Sequence, residues 1–391
     1  MKRIVQFGAG NIGRSLVGQL FARAGYEVVF VDAVPAIVEA LNERHKYQVV
    51  VKDRVPETLT VSGVRGILAR DEEAVAQAVA EADLIGTAVG PKVLPFIYPN
   101  LARGLARRNR PVSIILCENL RNARLFVRDG LQEYLPADFA WSERVGLVET
   151  SIGKMVPIMP AAVRERDPLE VWAEAYNQII ADGEAFLGPP PQVEGLVLKR
   201  HFRAYVDRKL FIHNLGHATA AYHGYLAGCR TLADCMALEG VRAEAQGAMR
   251  ESAEAVHRQY PEELSREDLA EHVEDLLRRF DNPALGDTVF RVGRDLTRKL
   301  ESEDRLVGAL RLARRHQVEC PHILRAIAAA LLFRATDEAG LPFPADREAV
   351  DRARDEGPEV VLREVCGLCR EGDAPVVEEI ARHYRSLGAR S

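Results

Sequence analysis

A glycine turn close to the start of the chain, set between an apolar strand and a helix, leaves few folds open. Gly8, Gly10 and Gly13 are spaced G-x-G-x-x-G. Ile4, Val5 and Phe7 supply a strand before them. A helix is predicted from about Asn11 to Ala24, with Gly25 to end it. Val28 to Val31 are four apolar residues in a row, as in a strand buried on both faces. Asp32 closes that strand 19 residues beyond Gly13. Alone the glycine triplet is a weak signal, but this strand–turn–helix–strand context gives each glycine a task. Gly8 permits the tight turn, Gly10 lets the backbone approach a pyrophosphate, and Gly13 lets helix and strand pack closely. The helix N-terminus adds free amides and a partial positive charge. The turn therefore predicts a dinucleotide site built from Phe7, Gly8, Ala9, Gly10, Asn11, Ile12 and Gly13. Asp32 can accept from both ribose hydroxyls and would repel a 2′-phosphate, which favours NAD over NADP. The plain alternative is a structural glycine turn.

Further strand candidates are LTVSGVRGI, ADLIGTAVG and VSIILCEN, separated by helical stretches. A βαβ rhythm of this kind implies a parallel sheet with helices on both faces. Ligands in such sheets lie off the carboxyl ends of the strands. Thr87, Val89 and Gly90 of TAVGP, and Asn119 of ILCENLRN, fall at such ends. Read alone, Asn119 is as well explained as a turn or cap residue. GPPP at Gly188–Pro191 breaks the pattern and is the best linker candidate. The chain is thus read as an α/β protein. A Rossmann-type parallel-sheet domain over residues 1–190 precedes a mostly α-helical substrate domain over 191–391. Helices are expected over Arg203–Ala227, Leu232–Gln259 and Arg266–Arg279.

In the second half, YVDRKLFIHNLGH (Tyr205–His217) holds three polar residues that a packed helix would not need: Lys209, Asn214 and His217. At about 100° per residue, Asn214 and His217 lie about 60° apart and Lys209 lies about 140° from Asn214, so the three line a broad face. Leu210, Phe211, Ile212 and Leu215 surround them, and burial lowers an amine's pKa from about 10.4. A lysine so tuned can take a hydroxyl proton near neutral pH. An adjacent Asn amide can donate to an alkoxide or carbonyl oxygen. The bland reading is a snorkelling lysine with satisfied core polars. A zinc site is the other rival: His213 and His217 stand four apart, but Asn214 occupies the place of the glutamate that zinc motif needs. Further on, Arg291, Arg294, Arg298 and Lys299 crowd into one short run. They form either a solvated face or a partner for an acidic substrate group such as a phosphate.

Composition excludes several classes. The 391 residues suffice for two cores, and a net charge of −5 offers no basic field for nucleic acid. No apolar run reaches transmembrane length. The start, MKRIVQFGAG, enters the glycine turn too early for a signal peptide, so a cytoplasmic location is expected. The six cysteines, including one CxxC at Cys366 and Cys369, are then expected as reduced thiols.

These pieces resemble the polyol-specific long-chain dehydrogenases, the mannitol dehydrogenase family, and within it the bacterial mannitol-1-phosphate 5-dehydrogenases. The similar stretches are FGAGNIGR (Phe7–Arg14), TAVGP, CEN (Cys117–Asn119), RKLFxxNxGH (Arg208–His217) and RFxNPxxxDxxxRVGRxxxRKL (Arg279–Leu300). Shorter echoes are YQV (Tyr47–Val49) and DRL (Asp304–Leu306). They cover nearly the whole chain in the same order. The resemblance implies a Rossmann-type domain, a helical domain and an active site between them, with NAD as hydride acceptor and no metal. It implies Lys209 as general base, Asn119 and Asn214 as the pair holding the reacting oxygen, and His217 as the residue orienting substrate. Its substrate would be a small polyol or sugar phosphate; for mannitol 1-phosphate, oxidation at C5 gives fructose 6-phosphate. The chain would act as a monomer or homodimer, with no nucleic-acid or membrane partner. One stretch departs. The family usually carries Val-Asp-Arg-Ile-x-Pro after the Rossmann domain, with its Asp near the substrate. Here SIGKMVP (Ser151–Pro157) puts Gly153 and Lys154 at the Asp and Arg. Lys154 thereby joins Arg291 and Arg294 as candidate substrate contacts. A related polyol phosphate, a free polyol or a hexuronate would need the same base and the same oxygen donors. A dinucleotide sensor that has lost its chemistry is the non-catalytic alternative.

Overall fold

The strands, in chain order, are β1 (Arg3–Phe7), β2 (Glu27–Asp32), β3 (Lys46–Val51), β4 (Glu57–Ser62), β5 (Val64–Leu68), β6 (Leu84–Thr87), β7 (Val112–Leu116), β8 (Val145–Ser151), β9 (Val171–Ala173), β10 (Ile179–Asp182) and β11 (Leu196–Lys199). They belong to a computed structural model that describes residues 1–53, 55–157 and 159–389. Arg54, Ile158, Arg390 and Ser391, which fall within the two expected domains, lie outside the described residues. The larger sheet has the order β11-β10-β8-β7-β6-β1-β2-β5. From β5 to β8 every pairing is parallel, and β10 joins β8 antiparallel. This is a Rossmann-type sheet, followed by a mostly helical region.

Both faces of the sheet are covered, and the strand sequences show why. Val5, Phe7, Val29 and Val31 join one apolar cluster with Val75, Leu94, Leu101 and Val127. Their alternates Ile4, Val28 and Phe30 join another with Leu16, Val17, Phe21 and Tyr47. The uninterrupted apolar run Val28–Val31 is what burial on two sides demands.

Two strand readings change. LTVSGVRGI is not one strand. Gly63 has φ +76°, and the chain turns there between β4 and β5. β4 then pairs antiparallel with β3 in a separate three-stranded sheet, which β9 completes. The second change follows GPPP: β11 pairs with β10 and extends the larger sheet. The chain accordingly divides into compact units at Met1–Phe202 and Arg203–Ser391.

In the second unit the helix Phe202–Arg208 continues through a wider turn, Lys209–His213, into Asn214–Leu226. The expected Leu232–Gln259 helix is two helices, Leu232–Ala237 and Glu239–Gln259. Leu238 between them is extended, with φ −89° and ψ 113°. The Arg266–Phe280 helix matches expectation, capped by Ser265 accepting from Asp268 N–H. Helix Asn214–Leu226 approaches Glu239–Gln259 so closely that a Cβ on Gly216 would stand 2.2 Å from Met249 Sδ. Tyr222, fully buried on the same helix, donates its hydroxyl to Gly293 C=O at 3.0 Å and so ties the helix to the arginine-rich run.

That buried bond has a testable value. Tyr222→Phe leaves the Gly293 carbonyl without this donor, and the second unit should lose about 1–2 kcal/mol of stability. Urea unfolding followed by tryptophan-independent circular dichroism measures it; an unchanged midpoint would refute the tie.

Candidate active site

In the first unit the sheet register brings the candidate residues to one edge. Phe7 aligns with Val31 and with Thr87, and Thr87 aligns with Leu116. The turns after β1, β2, β6 and β7 therefore leave the sheet at one level. Gly8 has φ +91°, and its N–H donates to Val31 C=O at 2.8 Å. A Cβ on Gly8 would stand 2.6 Å from Ala88 O, and one on Gly13 would stand 2.0 Å from Gly8 O. A Cβ on Gly10 would meet no atom within 4 Å. The turn is thus closed on its protein side and open where a pyrophosphate would approach, as a bound dinucleotide requires. Phe7 and Ala9 are buried, Ile12 is half-buried, and Gly10 and Asn11 are exposed.

Asp32 braces this turn. Its Oδ2 accepts from Ala9 N–H at 2.7 Å and its Oδ1 from Val34 N–H at 2.9 Å. Each carboxylate oxygen has a second lone pair, so ribose hydroxyls can still be accepted. The opposite side of the edge depends on Glu118, the middle residue of CEN, to which the sequence alone assigns no task. It is buried, with Oε2 accepting from Thr87 Oγ1 at 2.7 Å and Oε1 from Val89 N–H at 3.1 Å. Burial pushes its carboxyl pKa up. Glu118 thereby shapes the turn through Thr87, Val89 and Gly90, the last with φ +88°. Asn119 follows it and is exposed. Lys154 lies in the loop after β8 and is buried, its ammonium donating to Tyr176 C=O at 2.7 Å and Asn177 Oδ1 at 3.3 Å.

The second unit holds Lys209, Asn214 and His217, and its local geometry differs from an ideal α-helix. Asn214 N–H donates to Lys209 C=O, five residues back, so Lys209–His213 is a π-turn. A turn closed in this way sets residues five apart one above the other, as residues four apart are in an α-helix. The broad face expected for Lys209 and Asn214 narrows to a stripe, with His217 three residues further along it. All three keep partial exposure, whereas Phe211, Ile212, His213, Leu215 and Gly216 are buried. Burial, with the Arg305 charge second, lowers the Lys209 ammonium to about 8.

His217 is held neutral. Burial, then the charges of Lys299, Arg291, Arg305 and Arg279, lower it to about 3. Its ring stacks on Phe280 at 4.9 Å between centroids, and its Nε2 is 3.6 Å from Asp287 Oδ2. His213 stands edge-on to His217 at 6.2 Å and is buried against Phe280. Among the described residues no group of three or more His, Cys, Asp and Glu side chains could hold a metal ion. Arg291 pairs with Asp287, its i−4 neighbour. Arg294 lies over the Phe290 ring at 5.8 Å. Lys299 is buried and donates to the carbonyls of Val292 and Arg294, and burial with Arg305 and Arg298 lowers it to about 7. Phe280 and Asp287 were visible only as letters within the long arginine-rich motif. Arg305 was visible only as the centre of DRL.

Parallel sheets with this turn and acidic strand end serve oxidoreductases that use a dinucleotide, and the helical second unit narrows the class. Residues 2–195 match the mannitol dehydrogenase Rossmann domain and residues 201–387 the mannitol dehydrogenase C-terminal domain. The chain belongs to the mannitol dehydrogenase family. Its fold is similar to that of Pseudomonas fluorescens mannitol 2-dehydrogenase, solved as a ternary complex with NAD and D-mannitol. The TM-score is 0.74 at 17% identity, over 99% of this chain and 92% of the other. It is also similar to a D-sorbitol dehydrogenase in substrate-free form, with TM-score 0.81 at 16% identity over 98% and 93% of the chains.

The glycines separate folding from binding. Gly13→Ala, whose Cβ would meet Gly8 O, should lower the melting temperature. Gly10→Ala, whose Cβ meets only open space, should leave it unchanged yet weaken NADH binding at least tenfold in a fluorescence titration. Wild-type affinity in Gly10→Ala would show that the pyrophosphate does not approach this turn.

Proposed function

We propose that this chain is an NAD-dependent polyol-phosphate dehydrogenase, with D-mannitol 1-phosphate oxidised to D-fructose 6-phosphate as its reaction. The observation that supports it best is the π-turn stripe, which sets a half-buried amine lowered to about 8 beside an amide and a neutral imidazole. Lys209 is the general base and takes the hydroxyl proton of the carbon being oxidised. Asn119 and Asn214 donate amide N–H groups to the oxygen as it passes from hydroxyl to carbonyl, stabilising the charge that develops there. His217, neutral at working pH, orients a substrate hydroxyl without adding charge. NAD, when bound, takes up the hydride from the same carbon. Phe7, Gly8, Ala9, Gly10, Asn11, Ile12, Gly13, Asp32, Thr87, Val89 and Gly90 hold it.

The phosphate is supported by charge. Arg279, Arg291, Lys299 and Arg305 all act on His217 as positive neighbours. Such a surround favours a dianionic substrate over a neutral one. No helix of the described residues is long and apolar enough to cross a membrane. The reading places the chain in the cytoplasm, as a monomer or homodimer acting on a small molecule.

Three measurements test this. Lys209→Ala should cut turnover by about 10²–10⁴-fold while NADH still binds; wild-type turnover would remove the assigned base. The pH profile has a definite sign, because the deprotonated amine is the active form in oxidation. kcat/KM should rise tenfold per pH unit towards about 8 and level above it, and ketose reduction should decline above about 8. A flat profile between pH 6 and 9 contradicts a lysine base. Asp32→Ser should raise the NADP/NAD ratio of kcat/KM by at least tenfold, and an unchanged ratio would mean that Asp32 does not meet the ribose.

A further inference from the structure

Arg305 lies in the turn that precedes the helix Val307–Arg315. That turn is held against the π-turn: Gly308 N–H donates to Asp304 C=O at 2.7 Å, and a Cβ on Gly308 would stand 2.6 Å from Phe211 Cε1. Arg305 is only 9% exposed. Its Nε donates to Asp304 Oδ1 at 2.8 Å, and its backbone N–H uses the same oxygen at 2.6 Å. Among the described residues the guanidinium has no further hydrogen bond or ion pair, so its two terminal nitrogens are left without a partner. Asp304 is itself shared, because Oδ2 accepts from Arg298 Nη1 at 3.1 Å. One carboxylate therefore serves two arginines.

Basic groups crowd this open end. Lys209, His217 and Lys299 all feel Arg305 as a positive neighbour. The other cations of the region are better answered: Arg291 pairs with Asp287, and Lys299 is satisfied by two carbonyls. A nearly buried arginine with its planar fork open, among basic groups, calls for an anion. Lys209 and Lys299 act with Arg305 on this region, and an arginine fork with amines beside it is a chemistry that recognises phosphate.

We propose that Arg305 binds the substrate phosphate through its two terminal guanidinium nitrogens and thereby selects a polyol phosphate over the corresponding free polyol. The inference rests on the function proposed above and adds the residue that discriminates. Arg305 acts here as a specificity contact, distinct from the proton transfer assigned to Lys209.

The test compares kcat/KM for fructose 6-phosphate and for fructose, both with NADH, in wild type, Arg305→Gln and Arg305→Lys. The ratio of the two substrates isolates the phosphate contact, because any change at Lys209 affects both alike. The ratio should fall about 10- to 100-fold in Arg305→Gln, mainly through KM for the phosphorylated ketose, and recover in part in Arg305→Lys. A binding readout stands beside it: millimolar inorganic phosphate should raise the melting temperature of wild type and not that of Arg305→Gln. A wild-type enzyme that prefers fructose, or a hexuronate, overturns the phosphate reading itself. A wild-type preference for fructose 6-phosphate that survives undiminished in a folded Arg305→Gln overturns the inference alone.

Discussion

The hydrogen bond from Asn214 N–H to Lys209 C=O organises the polar stripe of the second unit. Its register is five residues instead of four, and the alignment of Lys209 with Asn214 depends on the difference. In an uninterrupted α-helix, residues five apart diverge by about 140° and could not serve one reacting atom without a long reach. The π-turn costs regular helical geometry, and the surrounding packing holds it in place. Phe211 and Ile212 within the turn are buried, Gly308 gives way to the Phe211 ring, and Gly216 admits Met249. A wider turn persists in a helix only where neighbours over-determine it, and such turns are found often at functional sites.

Charge placement follows from that scaffold. Arg279, Arg291, Lys299 and Arg305 all act on His217, and burial adds to them, so the imidazole stays neutral at about 3. Lys209 is lowered much less, to about 8, so it titrates close to working pH. Two nitrogen bases on one stripe thus take different protonation roles because their environments differ, not their residue types. The pattern is the one expected when one group must exchange a proton and its neighbour must only hold a hydroxyl.

The first unit was largely legible in its sequence and the second only partly. Glycine turns, an acidic strand end and apolar strands are local signals, so β1, β2, β6, β7 and the residues from Phe7 to Asp32 could be assigned from neighbours alone. What escaped was non-local. The small sheet of β3, β4 and β9 depends on a turn at Gly63 that an apolar run conceals, and β11 depends on a partner strand across the GPPP loop. Glu118 looked like a strand-end residue. Its task of bracing Thr87 and Val89 arises only when β6 and β7 lie side by side. On the helix, residue identity pointed to Lys209, Asn214 and His217, but ideal helical angles misjudged their spread, because a π-turn leaves no mark in composition or periodicity.

The departure at Gly153 and Lys154 bears on the same point. Arginine to lysine exchanges a planar fork for a point charge with three donors. Lys154 directs its ammonium to the Tyr176 carbonyl and the Asn177 side chain within its own unit, an arrangement a point charge can satisfy from several directions. It braces the loop after β8 and has given part of its donor capacity to backbone. Arg305 presents the opposite case: a rigid fork whose Nε alone is engaged and whose terminal nitrogens stay open. Planar, bidentate geometry is what an arginine offers a phosphate beyond its charge. Under the proposal made above, the cation that recognises the phosphate is Arg305, whose fork is open, while Lys154 has its ammonium on Tyr176 and Asn177.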